Sequence, residues 1–138
     1  MQTRPAHPVN EETHSFSVNL STQGNVEILS LNGGMHDLEF PILEDVLRRL
    51  LRENRCLVIL ECSKLHSASS VTLLRLLTYV RSFREKGGDL DLAVLPPPIA
   101  GLARVLDLKT KIDCHLDVAT AVNALTGGAS APRLSKQA

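Results

Sequence analysis

The sequence predicts an α/β fold, a mixed and mostly parallel sheet of four to five strands packed with about four helices. Three observations carry this. First, Leu57 to Leu60 is a short aliphatic run closed by Glu61, which reads as a buried strand. Second, from Val71 the hydrophobic period changes. Leu73, Leu76, Leu77, Val80 and Phe83 fall on one helical face, with Arg75, Arg81 and Arg84 outside it, until Gly87-Gly88 stops the helix. Third, Leu90, Leu92, Val94 and Leu95 make a further strand. A strand–helix–strand unit implies parallel pairing through a right-handed crossover.

The other elements follow in order. Residues 1–14 are polar and carry Pro5, Pro8 and a Glu-Glu pair, which reads as a disordered N-terminal tail. Phe16, Val18 and Leu20 alternate with Ser17 and Asn19 as a half-buried strand. Thr22 to Asn25 is turn chemistry, and Val26, Ile28, Leu29 and Leu31 form a second strand, hairpin-paired with the first and ended by Asn32-Gly33-Gly34. This hairpin adds an antiparallel edge. Asp37 is placed as a helix N-cap, followed by Leu43, Val46, Leu47, Leu50 and Leu51 on one stripe, with Arg48, Arg49, Arg52 and Arg55 as a solvated face. In the central stretch, Ser63, Ser67, Ser69 and Ser70 crowd a turn between strand and helix. Asp89 and Asp91 interrupt the next strand. Pro96-Pro97-Pro98 ends it, the last proline being placed to open a helix of Ile99, Leu102, Ala103, Val105 and Leu106. Lys111 to Leu116 reads as a brief edge strand. Asp117 caps a last helix over Val118, Ala121, Val122 and Leu125, and residues 126–138 read as a flexible tail.

Composition narrows the function. Fifteen basic and fifteen acidic residues cancel, which gives no support for nucleic acid or an anionic membrane as partner. With no Trp, one Tyr and three Phe there is no platform for stacking bases, and the core must be aliphatic. The three cysteines, Cys56, Cys62 and Cys114, are odd in number and lack a CxxC pair. They fit a reducing compartment better than a disulfide framework or zinc site. No signal core or membrane-spanning run is present, so a cytoplasmic location is expected.

The serine-rich junction concentrates the chemistry. A helix N-terminus offers free amides and the positive end of the macrodipole. One of Ser69 and Ser70 is expected to cap the helix, and a phosphoryl group would be accommodated there. A hydrolase using Ser70 and His66 lacks the G-x-S-x-G elbow. His36, His66 and Cys62 lack metal-ligand spacing. Gly33-Gly34 and Gly87-Gly88 match no phosphate-binding loop. No catalytic residue, metal or cofactor is assigned.

The residues of this junction also carry a resemblance. Glu61-Cys62-Ser63-Lys64-Leu65-His66-Ser67-Ala68-Ser69-Ser70, followed by an apolar helix, Gly87-Gly88 and a strand ending in prolines, resembles the STAS domain of bacterial anti-sigma factor antagonists, whose pattern there is approximately D-L-S-x-V-x-F-I-D-S-S-G. Pro97 to Arg104 resembles the family's S-P-A-V-x-R-x-L, and Leu31 to His36 its L-x-G-x-L-D. The match covers about Ser15 to Leu125, so residues 15–125 are taken as a STAS domain. His36 stands where an aspartate is usual, Ser69 replaces the aspartate beside the modified serine, and Val71 and Thr72 replace Ser-Gly.

The resemblance implies a switch protein that catalyses nothing. Its partner would be an anti-sigma factor with serine kinase activity, and a PP2C-type phosphatase would reverse the modification. Ser70 is the implied phosphorylation site, with Ser69 second. Gly33, Met35, His36, His66, Ser67, Ser69, Ser70, Val71 and Thr72 are the implied partner-binding residues. The loss of the aspartate gives weight to a second reading, a STAS scaffold or transporter-associated subunit that is never phosphorylated.

Overall fold

The computed structural model describes residues 16–127. The tail expected over 1–14 lies outside the described residues, and so does the tail expected over 126–138 apart from Thr126 and Gly127, which form the turn after the last helix. The order is β1 (Phe16–Gln23), β2 (Val26–Met35), α1 (Phe40–Arg52), β3 (Leu57–Ala68), α2 (Ser70–Glu85), β4 (Asp89–Ala93), α3 (Pro97–Val105), a 3₁₀ turn (Leu108–Thr110), β5 (Cys114–His115) and α4 (Val118–Leu125). The five strands lie in the order β1-β2-β3-β4-β5. β1 pairs antiparallel with β2, and the remaining pairs are parallel. This is the mixed α/β sheet with four helices that the periodicity predicts.

The two faces of the sheet are covered unequally. Leu29, Leu31, Leu60, Leu90 and Leu92 pack with Leu43 and Leu47 of α1, Leu73, Leu76, Val80 and Phe83 of α2, and Ile99 and Ala103 of α3. Val26, Ile28, Ile59 and Ala93 meet Ala121 and Leu125 of α4 on the other face. A closely packed aliphatic core of this kind loses about 2–5 kcal/mol per Leu→Ala truncation.

Several boundaries differ from the sequence reading. β2 does not end at Gly34 but runs to Met35, and β3 does not close at Glu61 but continues to Ala68. Ser63 and Ser67 therefore lie on a strand rather than in a turn. Two register shifts against β2 explain the extra length: Ser30 pairs with Glu61 but Asn32 with Lys64, and Gly33 pairs with Leu65 but Gly34 with Ser67. Such bulges break the alternation that a strand is recognised by. Asp37 does not cap α1. The N-cap is Glu39, which makes no side-chain cap bond. Asp89 and Asp91 do not interrupt β4; both are buried within it. β4 ends at Ala93, before Val94 turns to φ 59. Pro97, not Pro98, opens α3, and Val105 is 80 % exposed. The edge strand expected over Lys111–Leu116 contracts to two residues. Asp117 caps α4 as expected, accepting from the Thr120 amide at 2.7 Å.

Polar side chains tie α1 to α2 and the loop before β3 to the sheet. Buried Glu44 of α1 accepts from Arg75 Nη2 at 3.2 Å and from Tyr79 Oη at 2.7 Å, both on α2. The Arg75 guanidinium stacks 4.6 Å from the centre of the Phe40 ring. Arg55 is not part of a solvated face. It donates through Nε and Nη2 to buried Glu27 at 3.1 and 2.9 Å. Its guanidinium is held more firmly protonated than usual by hydrogen bonds first to Glu53 and then to Glu27.

Candidate functional site

The site forms at the C-terminal ends of β2 and β3, where the pairs Gly34–Ser67 and Met35–Ala68 deliver the chain into α1 and α2. Ser69 leaves the sheet in extended conformation, φ −87 and ψ 158, as the N-cap of α2. Its Oγ accepts from the Thr72 amide at 3.1 Å and donates to Asp37 Oδ1 at 3.3 Å. Thr72 is fully buried, and its hydroxyl sits 3.0 Å from the Met35 carbonyl and 2.9 Å from that of Ser69. The cap is thus tied to the strand that precedes α1 as well as to its own helix. This division between a capping and a free serine could be expected only as one of two possibilities from the sequence.

Ser70 is the first residue of α2. Its side chain is exposed and its hydroxyl bonds to no described residue. On the same end of α2, Val71 is 53 % exposed and Leu74 44 %, and Leu38, next to Asp37 in the chain, is 90 % exposed. Across the strand ends, His36 Nε2 and Ser67 Oγ are 2.9 Å apart, and the His36 amide donates to Glu39 Oε1 at 3.2 Å. Gly34 makes this approach possible, because a Cβ there would lie 2.9 Å from Ser67 Oγ and 3.4 Å from the His36 ring.

The named partner residues separate into two groups. His36, His66, Ser67, Ser70 and Val71 are exposed around the α2 N-terminus, with Ser69 half-buried beside them. Met35 and Thr72 are 0 % exposed, so neither can touch a partner through its side chain. They hold the cap instead. Gly33 is likewise buried, inside β2 at φ 107, a conformation that favours glycine. The sequence reading missed Asp37 as a neighbour of Ser69, and missed the apolar surface of Leu38 and Leu74. Asp37 and Ser69 are 32 residues apart, and no local pattern joins them.

The competing chemistries do not assemble among the described residues. No hydrogen bond joins His66 to Ser70. Cys62 packs in the core, away from His36 and His66, and burial above all pushes its thiol well above its usual range. A separate cluster lies elsewhere, at β4 and the approach to β5, and the sequence reading missed it. Asp89, Asp91 and Asp113 are buried, with carboxylate oxygens within 4.8 Å of one another. Arg84 Nε donates to Asp89 Oδ1 at 2.9 Å, and His115 Nε2 lies 2.8 Å from Asp91 Oδ2. Burial pushes the Asp91 carboxyl up to about 6, with neighbouring Asp89 and Asp113 adding to the rise and His115 opposing it.

The STAS domain family model matches residues 17–121. The chain belongs to the STAS family. A search of curated proteins found no match. Among solved structures, this STAS domain resembles an anti-sigma factor antagonist from Mycobacterium paratuberculosis, with 16 % identity and TM-score 0.69 over 81 % of this chain and 95 % of that one. The Bacillus cell fate determinant SpoIIAA, in its phosphorylated form, gives 14 % identity and TM-score 0.59 over 79 % and 97 %. The murine anion transporter Solute Carrier 26 family member A9, in its inward-facing state, gives 9 % identity and TM-score 0.65 over 88 % of this chain but 24 % of that one. At these identities the likeness is one of fold. No described helix is long and apolar enough to cross a membrane.

Proposed function

We propose that this STAS domain is an anti-sigma factor antagonist whose binding to an anti-sigma factor with serine kinase activity is cancelled by phosphorylation of Ser70. The supporting observation is the division of labour at the start of α2. Ser69 is committed to the cap, while Ser70 presents an unengaged hydroxyl beside exposed Val71 and Leu74 of α2, with exposed Leu38 following the Asp37 that bonds Ser69. An apolar surface next to a helix N-terminus suits a protein partner. A phosphoryl group on Ser70 adds about −1.5 to −2 charges at neutral pH. The amides and dipole of α2 would accommodate that charge, so the fold need not change; a desolvated partner surface would not. In this reading the protein catalyses nothing, the partner brings the ATP, and a PP2C-type phosphatase restores the binding form.

The test is titration calorimetry of Ser70→Ala and Ser70→Asp against the anti-sigma factor, with phosphopeptide mapping after a kinase reaction. Ser70→Ala should bind and take up no phosphate. Ser70→Asp should lose about 2–5 kcal/mol of binding, the cost of an unpaired charge in an interface, which is tens- to thousands-fold in affinity at about 1.4 kcal/mol per decade. Equal binding by the two variants would overturn the switch. It would leave the second reading, an unphosphorylated scaffold or transporter-associated subunit, which Ser69 in place of the family's aspartate favours.

A further inference from the structure

The sheet has two edges, and they differ. β5 contributes two residues to one. β1 contributes eight to the other, in unbroken register with β2 from the Phe16–Gly33 pair to the Gln23–Val26 pair. An edge strand displays a row of N–H and C=O groups that will template another strand, and proteins usually blunt it with charges, proline, a bulge or brevity. β1, Phe16-Ser17-Val18-Asn19-Leu20-Ser21-Thr22-Gln23, contains no charged residue and no proline, and carries no bulge. Among the described residues, none pairs with its outer side.

We propose that β1 is a homodimerisation edge, pairing antiparallel with β1 of a second copy to make a continuous ten-stranded sheet. The occupant is argued from the self-complementarity of the strand. Val18 and Leu20 lie opposite Leu31 and Leu29 of β2 and share the core face with them. Ser17, Asn19 and Ser21 lie on the other face. A two-fold axis normal to the sheet keeps each face on its own side, so only residues of the same face can oppose one another. Centring the axis on Asn19 satisfies this throughout. Val18 then faces Leu20 of the second copy, which covers the 37 % exposed Leu20 side chain. Ser17 faces Ser21, and Asn19 faces Asn19, pairs able to hydrogen-bond across the strands. A neutral strand meets its own copy with no like charges opposed, whereas a charged peptide would gain nothing from it. A strand edge alone is a small interface, so the dimer is weak and reversible.

The arrangement has a functional consequence. The Phe16 end of β1 lies beside Gly33, at the same end of the sheet as the α2 N-terminus. The two-fold axis therefore points the two Ser70 sites toward opposite ends of the joined sheet. Both stay accessible, and the dimer would present two switch surfaces at once.

The on-axis position supplies the test. Sedimentation velocity of the full chain should show a dimer fraction that rises with concentration. Asn19→Lys alone and Asn19→Asp alone place like charges opposite each other and should both be monomeric. An equimolar mixture of the two should recover the dimer as the mixed species, which also shows that both variants are folded. A wild-type protein that stays monomeric at every concentration overturns the proposal. So does a dimer unchanged by Asn19→Lys, or two monomeric variants whose mixture also stays monomeric.

Discussion

Ser69 and Ser70 are adjacent serines with opposite expected behaviour, and replacing each by alanine separates a structural role from a signalling one. Ser69→Ala removes the acceptor of the Thr72 amide bond at 3.1 Å and the donor of the 3.3 Å bond to Asp37. Loss of an N-cap hydroxyl costs about 0.5–2 kcal/mol. The Asp37 bond is long and exposed, so it adds a few tenths at most. The expected cost is about 1–2 kcal/mol. Ser70→Ala removes an exposed hydroxyl with no described partner and introduces the best helix former, so stability should stay within about 0.5 kcal/mol. Chemical denaturation of the two variants measures both numbers, and incubation with kinase and ATP measures phosphate uptake. Ser69→Ala should be less stable yet still modified, whereas Ser70→Ala should be stable and unmodified. If Ser70→Ala loses more than about 1 kcal/mol, or Ser69→Ala loses nothing, the assignment of the cap is wrong and the division of labour fails with it.

Two further outcomes follow from the packing. Gly88→Ala should destabilise by at least about 3 kcal/mol, because its Cβ would fall 1.9 Å from the Cys56 carbonyl oxygen and only backbone movement relieves that. Gly101→Ala, in α3 with nothing within 4 Å of a Cβ, should instead stabilise by about 0.5–1 kcal/mol; equal denaturation midpoints for the two would contradict the geometry. Asp91 is held protonated to about pH 6 against an ordinary value of 3.8, so the native state binds more protons than the unfolded one between those values. The stabilisation is complete below about pH 4 and is lost as pH rises through about 6. Asp91→Asn should therefore gain on the wild type by up to about 3 kcal/mol between pH 4 and 7, and a difference that is flat with pH would reject the burial argument.

The sequence is most legible where packing obeys a simple period. Leu73, Leu76, Val80 and Phe83 recur at helical spacing, and all four are buried. Leu77 shares the predicted face but is only half-buried, because the face turns toward Tyr79 and Thr72 instead. Their hydroxyls find partners in Glu44 and the Met35 carbonyl. Burial of polar side chains depends on partners more than thirty residues away, and periodicity cannot foresee them. The same limit hid the buried aspartates: Asp89 and Asp91 read as breaks in a strand because Arg84, His115 and Asp113 could not be placed around them. β3 outruns its predicted end for another reason. Its two register shifts spoil the alternation, and Ser63 and Ser67 then look like turn residues. The junction itself was legible because capping is local. Asp37 reads as the cap of α1, but its carboxylate serves Ser69, the cap of α2.

That displaced aspartate bears on which serine can carry the switch. Where the family pattern has an acid immediately before the modified serine, this chain has Ser69, and an acid reaches the same place from the β2–α1 loop as Asp37. A phosphoryl group on Ser69 would meet that carboxylate at close range and remove the hydroxyl proton that Ser69 donates to it. Both effects disfavour the folded junction, since like charges a few ångströms apart repel and the hydrogen bond between Ser69 and Asp37 is lost. A phosphoryl group on Ser70 does neither. It sits at the first position of α2, where the helix dipole favours a negative charge by about 0.3–1 kcal/mol, and the Ser69–Asp37 bond beneath it remains intact. Asp37→Asn should therefore leave phosphate uptake at Ser70 in place while changing melting behaviour little. Phosphate appearing on Ser69 in that variant would show that the carboxylate, rather than the cap, is what directs the kinase to Ser70.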